Sequence, residues 1–220
     1  MRAVYFAAGR TSLDGNLTIA DGATGLILFA HGSGSSRHSP RNQFVARTLS
    51  DSGIATLLFD LLTPEEEAID MQTREYRFNI SLLAERLIYA TRWAKQQRET
   101  RDLRIGYFGS STGAAAALVA AAELSQDVGA VVSRGGRLDL AGDALARVQA
   151  STLLIVGGND DVVIELNEMA RDRMHSRVKL EIVPGATHLF EEPGTLEQVA
   201  NLARDWFVRQ LDGKGVPSRE

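Results

Sequence analysis

The chain has 220 residues, 44% of them hydrophobic and 24% charged, a composition that excludes a disordered chain and provides a full hydrophobic core. Its 24 basic and 28 acidic residues give a net charge of −4, which does not favour nucleic acid or an acidic membrane surface as a partner. The absence of cysteine excludes disulfides, thiolate metal sites and a cysteine nucleophile.

The apolar runs of the chain are all shorter than the roughly 18 to 20 residues that span a bilayer. The N-terminal residues do not have the pattern of a secretory signal. We therefore expect no membrane partner and a cytoplasmic location.

Short apolar runs alternate with helical patterns, which predicts an α/β fold with a mostly parallel sheet and helices on both faces. The turn signals Asp14-Gly15 and Asp21-Gly22 separate the first three strands, so we predict antiparallel hairpins at one edge. The eight predicted strands cover residues 3–7, 16–19, 25–30, 54–59, 103–108, 128–133, 152–156 and 178–183.

Apolar stripes at spacings of three and four predict helices over residues 80–94 and 196–206. A further helix is predicted to begin at Pro40 with Ser39 as its N-cap, and with Phe44, Val45 and Leu49 facing inward. The acidic run at residues 65–67 is typical of a solvated loop. No linker or repeat divides the chain, so we expect one domain over residues 1–220 with a frayed tail from about residue 212.

The strongest motif is Gly109-Ser110-Ser111-Thr112-Gly113, a GxSxG sequence between a predicted strand and an alanine-rich helix. A serine at such a turn takes a strained conformation that exposes its hydroxyl, and glycines two residues to either side avoid a clash. A phosphate-binding turn is the alternative, but the chain has neither GxGxxG nor GxxxxGK[ST]. Ser111 is therefore the predicted nucleophile.

A serine nucleophile requires a histidine base and an acid that orients it. His188 follows the last predicted strand, where a side chain can reach the C-terminal edge of the sheet, whereas His31, His38 and His175 fit structural or exposed positions better. The acid should follow a parallel strand between the serine and the histidine. Asp160 is our choice, with Asp161 expected to cap the next helix. Asp161 and Asp139 stay open as alternatives for the acid.

The order Ser111, Asp160, His188, the GxSxG motif and the turn at residues 31–34 resemble an α/β-hydrolase, in particular the small dienelactone-hydrolase-like serine hydrolases. The resemblance covers nearly the whole chain. Dienelactone hydrolases proper have a cysteine nucleophile, where this chain has serine.

The resemblance implies cleavage of small carboxylic esters through an acyl-enzyme intermediate, without metal or cofactor. It also implies an oxyanion hole made by the backbone N–H groups of Thr112 and Ser33, with Gly34 as the next choice for the second donor. Only about 18 residues separate the strands that precede and follow the usual lid position, which leaves room for one helix at most and predicts an open site.

Arg134 and Gly34 are the predicted contacts to the substrate, a small-molecule ester. Arg134 and Arg137 could bind a substrate carboxylate, and an ion pair with Asp139 or Asp143 is an alternative. Two other functions remain open. One is an acyltransferase or thioesterase with the same triad, and the other is a non-catalytic binding module. The sequence does not define the oligomeric state.

Overall fold

The structure is a computed structural model and describes residues 1–211; the tail predicted from about residue 212 lies outside them. Strands and helices alternate along most of this part of the chain, as the sequence predicted. The strands are β1 (Arg2–Ala8), β2 (Thr11–Thr18), β3 (Gly25–Ala30), β4 (Ala55–Phe59), β5 (Arg104–Ser110), β6 (Val128–Arg134), β7 (Ser151–Gly157) and β8 (Val178–Val183). The α-helices are α1 (Pro40–Ser50), α2 (Pro64–Thr73), α3 (Ile80–Gln96), α4 (Thr112–Glu123), α5 (Asp161–Arg173) and α6 (Thr195–Leu211).

All eight strands form one sheet in the order β1-β2-β4-β3-β5-β6-β7-β8. The pairs from β4 onward in this order are parallel, whereas β1 with β2 and β2 with β4 are antiparallel. The mostly parallel, eight-stranded α/β sheet predicted from the sequence is confirmed. Parallel strands bring the ends of β5, β6, β7 and β8 to one edge, where loops can carry functional side chains.

The predicted arrangement of the first three strands is partly wrong. β1 and β2 form an antiparallel hairpin, but the chain turns at Gly9 and Arg10, and Asp14-Gly15 lies inside β2. Gly15 is there for packing, because a Cβ atom on it would lie 3.1 Å from Phe59 Cβ. β2 then pairs with β4 instead of β3, so no second hairpin forms.

The predicted helices are present, and the structure has one further helix, α2, that the sequence did not predict. Ser39 caps α1 by accepting a hydrogen bond from the Asn42 N–H, and Val45 and Leu49 are buried. The acidic run 65–67, predicted as a loop, forms the first turn of α2. Thr63 and Glu66 make a reciprocal capping box there, and acidic side chains are favourable in a helix's first turn.

Each face of the sheet has its own hydrophobic core. α3, α4 and α5 cover one face, and α1 and α6 cover the other. The residues between β6 and β7 contain 3-10 helical turns over Leu138–Arg147, and a kink at Gly142 divides them into two short pieces where the sequence predicted one helix at most. In residues 1–211, no helix is long and apolar enough to cross a membrane.

Candidate active site

Ser111 lies between the end of β5 and the first residue of α4, with φ of 49° and ψ of −120°. Positive φ is uncommon for a residue other than glycine and stores strain, which is typical of residues held in place for function. The backbone N–H of Ser111 donates to Arg134 O at 3.1 Å, and Ser111 O accepts from the Arg137 N–H at 3.2 Å. The turn is therefore held against the end of β6 and the residues that follow it.

The two glycines of the motif are required by close backbone contacts. A Cβ atom on Gly113 would lie 2.2 Å from Ala30 O, and one on Gly109 would lie 2.4 Å from Ala114 Cα. Real Cβ atoms do not approach other atoms so closely. Side chains at 109 and 113 would therefore clash with the backbone, as the sequence predicted.

His188 and Asp160 are joined by a hydrogen bond of 2.7 Å between Nδ1 and Oδ2. Asp160 occupies the N-cap position of α5, and its carboxylate contacts His188 instead of capping the helix. Asp161 is the first residue of that helix, so its predicted role as the cap is wrong. The other alternative acid, Asp139, is engaged by the Arg137 guanidinium at 2.8 and 2.9 Å.

Close packing brings the loop of His188 to the end of β7. The Asn159 N–H donates to Ala186 O at 2.9 Å, and a Cβ atom on Gly157 would lie 2.5 Å from the same oxygen. Gly135, with φ of 54°, lies under the imidazole, where its Cβ would be 3.3 Å from His188 Cε1. Larger residues at 135 or 157 would push the histidine loop away.

Ser111 and His188 line the same cleft of about 210 Å³, together with Gly32, Ser33, Arg41 and Arg134. No hydrogen bond joins the Ser111 hydroxyl to the imidazole among residues 1–211. Catalytic hydrogen bonds are often long in unliganded sites and tighten when substrate binds.

Ser33 and Thr112 lie next to each other beside this cleft, with their hydroxyl oxygens 3.0 Å apart. Thr112 begins α4, so its N–H has no acceptor within the helix. Gly32 allows the loop after β3 to approach the turn at Ser111, because a Cβ atom on it would lie 3.2 Å from Ser111 Cβ. The backbone segments that contain the two predicted oxyanion donors are therefore neighbours in space.

His31 has a structural role. Its Nε2 accepts from the Leu61 N–H at 3.0 Å, so Nδ1 carries the proton and donates to Gly32 O at 3.0 Å. Burial lowers the pKa of this imidazole, which favours the neutral form. His31 thus fixes the loop after β3 and stays uncharged.

Arg134 and Gly34 occupy different places. Arg134 ends β6 and lines the cleft with Ser111, whereas Gly34 lines an outer cleft of about 600 Å³ between the loop after β3 and the start of α2. The two clefts share four lining residues, Ser33, Ser35, Ser39 and Arg41. Gly34 therefore lies outside the cleft that Ser111 and Arg134 line, so the structure does not bring the two predicted substrate contacts together.

Sequence reasoning missed Arg41, Gly135 and Gly157. Arg41 lies in the first turn of a helix, where sequence alone points to a solvated residue. The Gly135-Gly136 and Gly157-Gly158 pairs carry a usable signal, because two glycines directly after a strand indicate close backbone approach. No group of three or more His, Asp or Glu side chains within the described part of the chain is placed to hold a metal ion.

A family model described as an alpha/beta hydrolase domain matches residues 23–204. The chain belongs to the alpha/beta hydrolase family. Its fold is dienelactone-hydrolase-like: the crystal structure of a dienelactone hydrolase from Anabaena variabilis is 57% identical, with a TM-score of 0.93 over 95% of this chain and 97% of that one.

Two further comparisons support different conclusions about the chain. Proteins from two Mycobacterium tuberculosis strains, both named "Putative phosphoribosyl transferase", are 58% identical over 96% of this chain, which spans 47% of their length. Because about half of those proteins has no counterpart here, their name does not assign an activity to these residues. Est1E from Butyrivibrio proteoclasticus is 16% identical with a TM-score of 0.80, over 95% of this chain and 98% of that one. It shows a shared fold only.

Proposed function

We propose that the protein is a serine hydrolase that cleaves small carboxylic esters, with Ser111 as nucleophile, His188 as general base and Asp160 as the acid that orients the histidine. The observation that carries the proposal is the 2.7 Å bond between His188 Nδ1 and Asp160 Oδ2 in a cleft also lined by the strained Ser111. The hydrolase family and the dienelactone hydrolase relative favour the same chemistry.

The reaction has two steps. The Nδ1–H of His188 donates to Asp160, which leaves Nε2 free to take the Ser111 proton as the hydroxyl oxygen attacks the ester carbonyl. The N–H groups of Thr112 and Ser33 would stabilise the oxyanion, and loss of one such donor typically costs about 3 to 4 kcal/mol of the barrier. The alcohol leaves with a proton from His188, and water then releases the acyl group by the same route.

The test is a series of p-nitrophenyl esters of increasing acyl length, assayed with wild type and point variants. We expect wild type to release p-nitrophenol from the short esters, and Ser111→Ala and His188→Ala to lose about 10⁴-fold or more in kcat. Ser12→Ala and His175→Ala are matched controls, because both side chains are exposed away from the cleft, and should retain wild-type rates.

The alternatives give different results in the same series. An acyltransferase would release p-nitrophenol faster when an alcohol is added, and a thioesterase would cleave a thioester faster than the oxygen ester. Ser111→Ala would abolish either activity. A folded wild-type protein that hydrolyses none of the esters would contradict the esterase proposal and favour a binding module.

A further inference from the structure

Arg134 is a buried cation without a protein partner. Its residue is 8% exposed, its Nη1 is buried without a hydrogen-bond partner, and no hydrogen bond or ion pair within residues 1–211 involves its side chain. Burial, and then the charge of Arg41, lower the pKa of Arg134 to about 10, so the guanidinium is still charged at neutral pH. Buried charges are normally paired, because an unpaired one is costly.

Arg41 adds a second guanidinium to the same cleft. Its Nη1 donates to Glu191 Oε1 at 3.1 Å, while its Nε is buried without a partner. Glu191 belongs to the loop that carries His188, and its side chain is 63% exposed. The cleft beside Ser111 therefore contains two cations and unsatisfied N–H donors on both.

An oxyanion would satisfy these donors. A carboxylate or phosphate accepts several hydrogen bonds, and guanidinium groups bind both in a fork geometry. Such a group would also relieve the repulsion between the two arginines. A neutral substrate would leave the Arg134 charge without a partner and the buried Nε of Arg41 without an acceptor.

We infer that the ester substrate carries an anionic group, a carboxylate or a phosphate, which Arg134 and Arg41 bind beside Ser111. This inference rests on the proposed esterase function and narrows its substrate class. Arg134 then acts on specificity: it selects esters by the charge of a group that takes no part in bond cleavage.

The test compares two esters that differ in charge and little in size, mono-p-nitrophenyl glutarate and the p-nitrophenyl ester of glutaramic acid. We expect kcat/KM of wild type to favour the anionic ester by about 10- to 100-fold, the contribution of a charge-assisted hydrogen bond. Arg134→Met should abolish this preference through KM of the anionic ester, Arg41→Met should reduce it, and Arg134→Lys should retain part of it. Arg171→Met is the control, since Arg171 is exposed and pairs with its neighbour Asp172.

The p-nitrophenyl ester of 4-phosphonobutyric acid distinguishes the two anions. A higher kcat/KM than for the glutarate ester would identify a phosphorylated substrate, and a lower one a carboxylate. Equal kcat/KM for the charged and neutral esters in wild type, or an Arg134→Met variant that loses both equally, would overturn the inference.

Failure of the esterase function is separable from failure of the anion subsite. If wild type hydrolyses neither ester, the proposed function fails. Calorimetric binding of mono-p-nitrophenyl glutarate to Ser111→Ala, lost in the Ser111→Ala, Arg134→Met double variant, would still support the subsite. Absence of binding to folded Ser111→Ala would overturn it.

Discussion

Ser111, His188 and Asp160 are separated by up to 77 positions in the chain, and their roles depend on side-chain geometry at the ends of three strands. The GxSxG motif and the position of His188 after the last strand could be found in the sequence, because each role demands a residue type at a fixed place in the fold. The sequence ranked Asp160 over Asp161, and the structure places the Asp160 carboxylate on the imidazole.

The assignment of the acid to Asp160 and not to Asp161 predicts that substitutions at the two positions have different effects on kcat. Asp160→Asn should lower kcat by about 10⁴-fold, because an amide no longer holds the imidazole in the tautomer that accepts the serine proton. Asp161→Asn should change kcat less than about threefold, since Asp161 is exposed at the start of α5. Steady-state kinetics on a p-nitrophenyl ester measures both. Similar losses in the two variants would contradict the role given to Asp160.

The position of Arg41 in the cleft could not be predicted from the residues around it in the sequence. Its place in the cleft depends on how α1 packs against α6 and on the position of the histidine loop, neither of which is encoded near residue 41. Arg134 was a candidate only because it ends a strand next to the nucleophile strand. The burial and missing partners that give it significance became visible in the fold.

At the scale of elements, the elbow between β5 and α4 depends on the absence of two side chains. Gly113→Ala should lower the free energy of unfolding by about 3 kcal/mol or more, because the new methyl group would meet the Ala30 carbonyl and the backbone must move. Urea unfolding followed by circular dichroism measures the change.

Gly129→Ala is the control for this variant. Its Cβ would lie 3.5 Å from Leu211 Cδ2, an ordinary contact, so the unfolding free energy should change by less than about 1 kcal/mol. If Gly113→Ala were as stable as Gly129→Ala, the close packing of the elbow against β3 would be wrong.

The C-terminal half of helix α2 is joined by polar contacts to the residues that directly follow the helix. Its buried residue, Asp70, is 0% exposed and accepts from the Tyr76 N–H at 2.8 Å, the Arg77 N–H at 2.9 Å and Arg77 Nε at 2.7 Å. Burial alone would raise the pKa of Asp70, but the hydrogen bonds from Arg77 and Tyr76 outweigh it and hold the pKa below its ordinary value.

Asp70→Asn should therefore lower the unfolding free energy at pH 7 by roughly 2 to 4 kcal/mol, because it leaves Arg77 without its charge partner. A carboxylate with a lowered pKa stabilises the fold above its unfolded pKa, and this stabilisation is lost as the pH falls through the folded value. The difference between wild type and variant should shrink below about pH 4. Urea unfolding at pH 7 and pH 3 measures it, with Asp172→Asn as an exposed control. A difference independent of pH would contradict this role for the ionised carboxylate.

At the scale of the whole molecule, periodicity predicted the α/β class and the position of seven of the eight strands, and it found only the end of β2. It failed where a choice depended on tertiary packing: Asp14-Gly15 has the composition of a turn, but Gly15 pairs with Val4 and Phe59 inside β2. Local sequence does not reveal which neighbour a strand will meet. Helix α2 was missed for a different reason: its start has a local signal, with Thr63 as N-cap, Pro64 in the first turn and Glu66 completing a capping box, but the acidic run was interpreted by its charge alone.

The convergence of Ser111, Asp160 and His188 at one sheet edge is the central claim, and covalent labelling tests it most directly. The protein should be incubated with a fluorophosphonate and analysed by intact mass and peptide mapping. We predict one adduct, on Ser111, absent in Ser111→Ala and formed far more slowly in His188→Ala and Asp160→Asn. No adduct on the folded wild-type protein, or an adduct on another residue, would contradict the account.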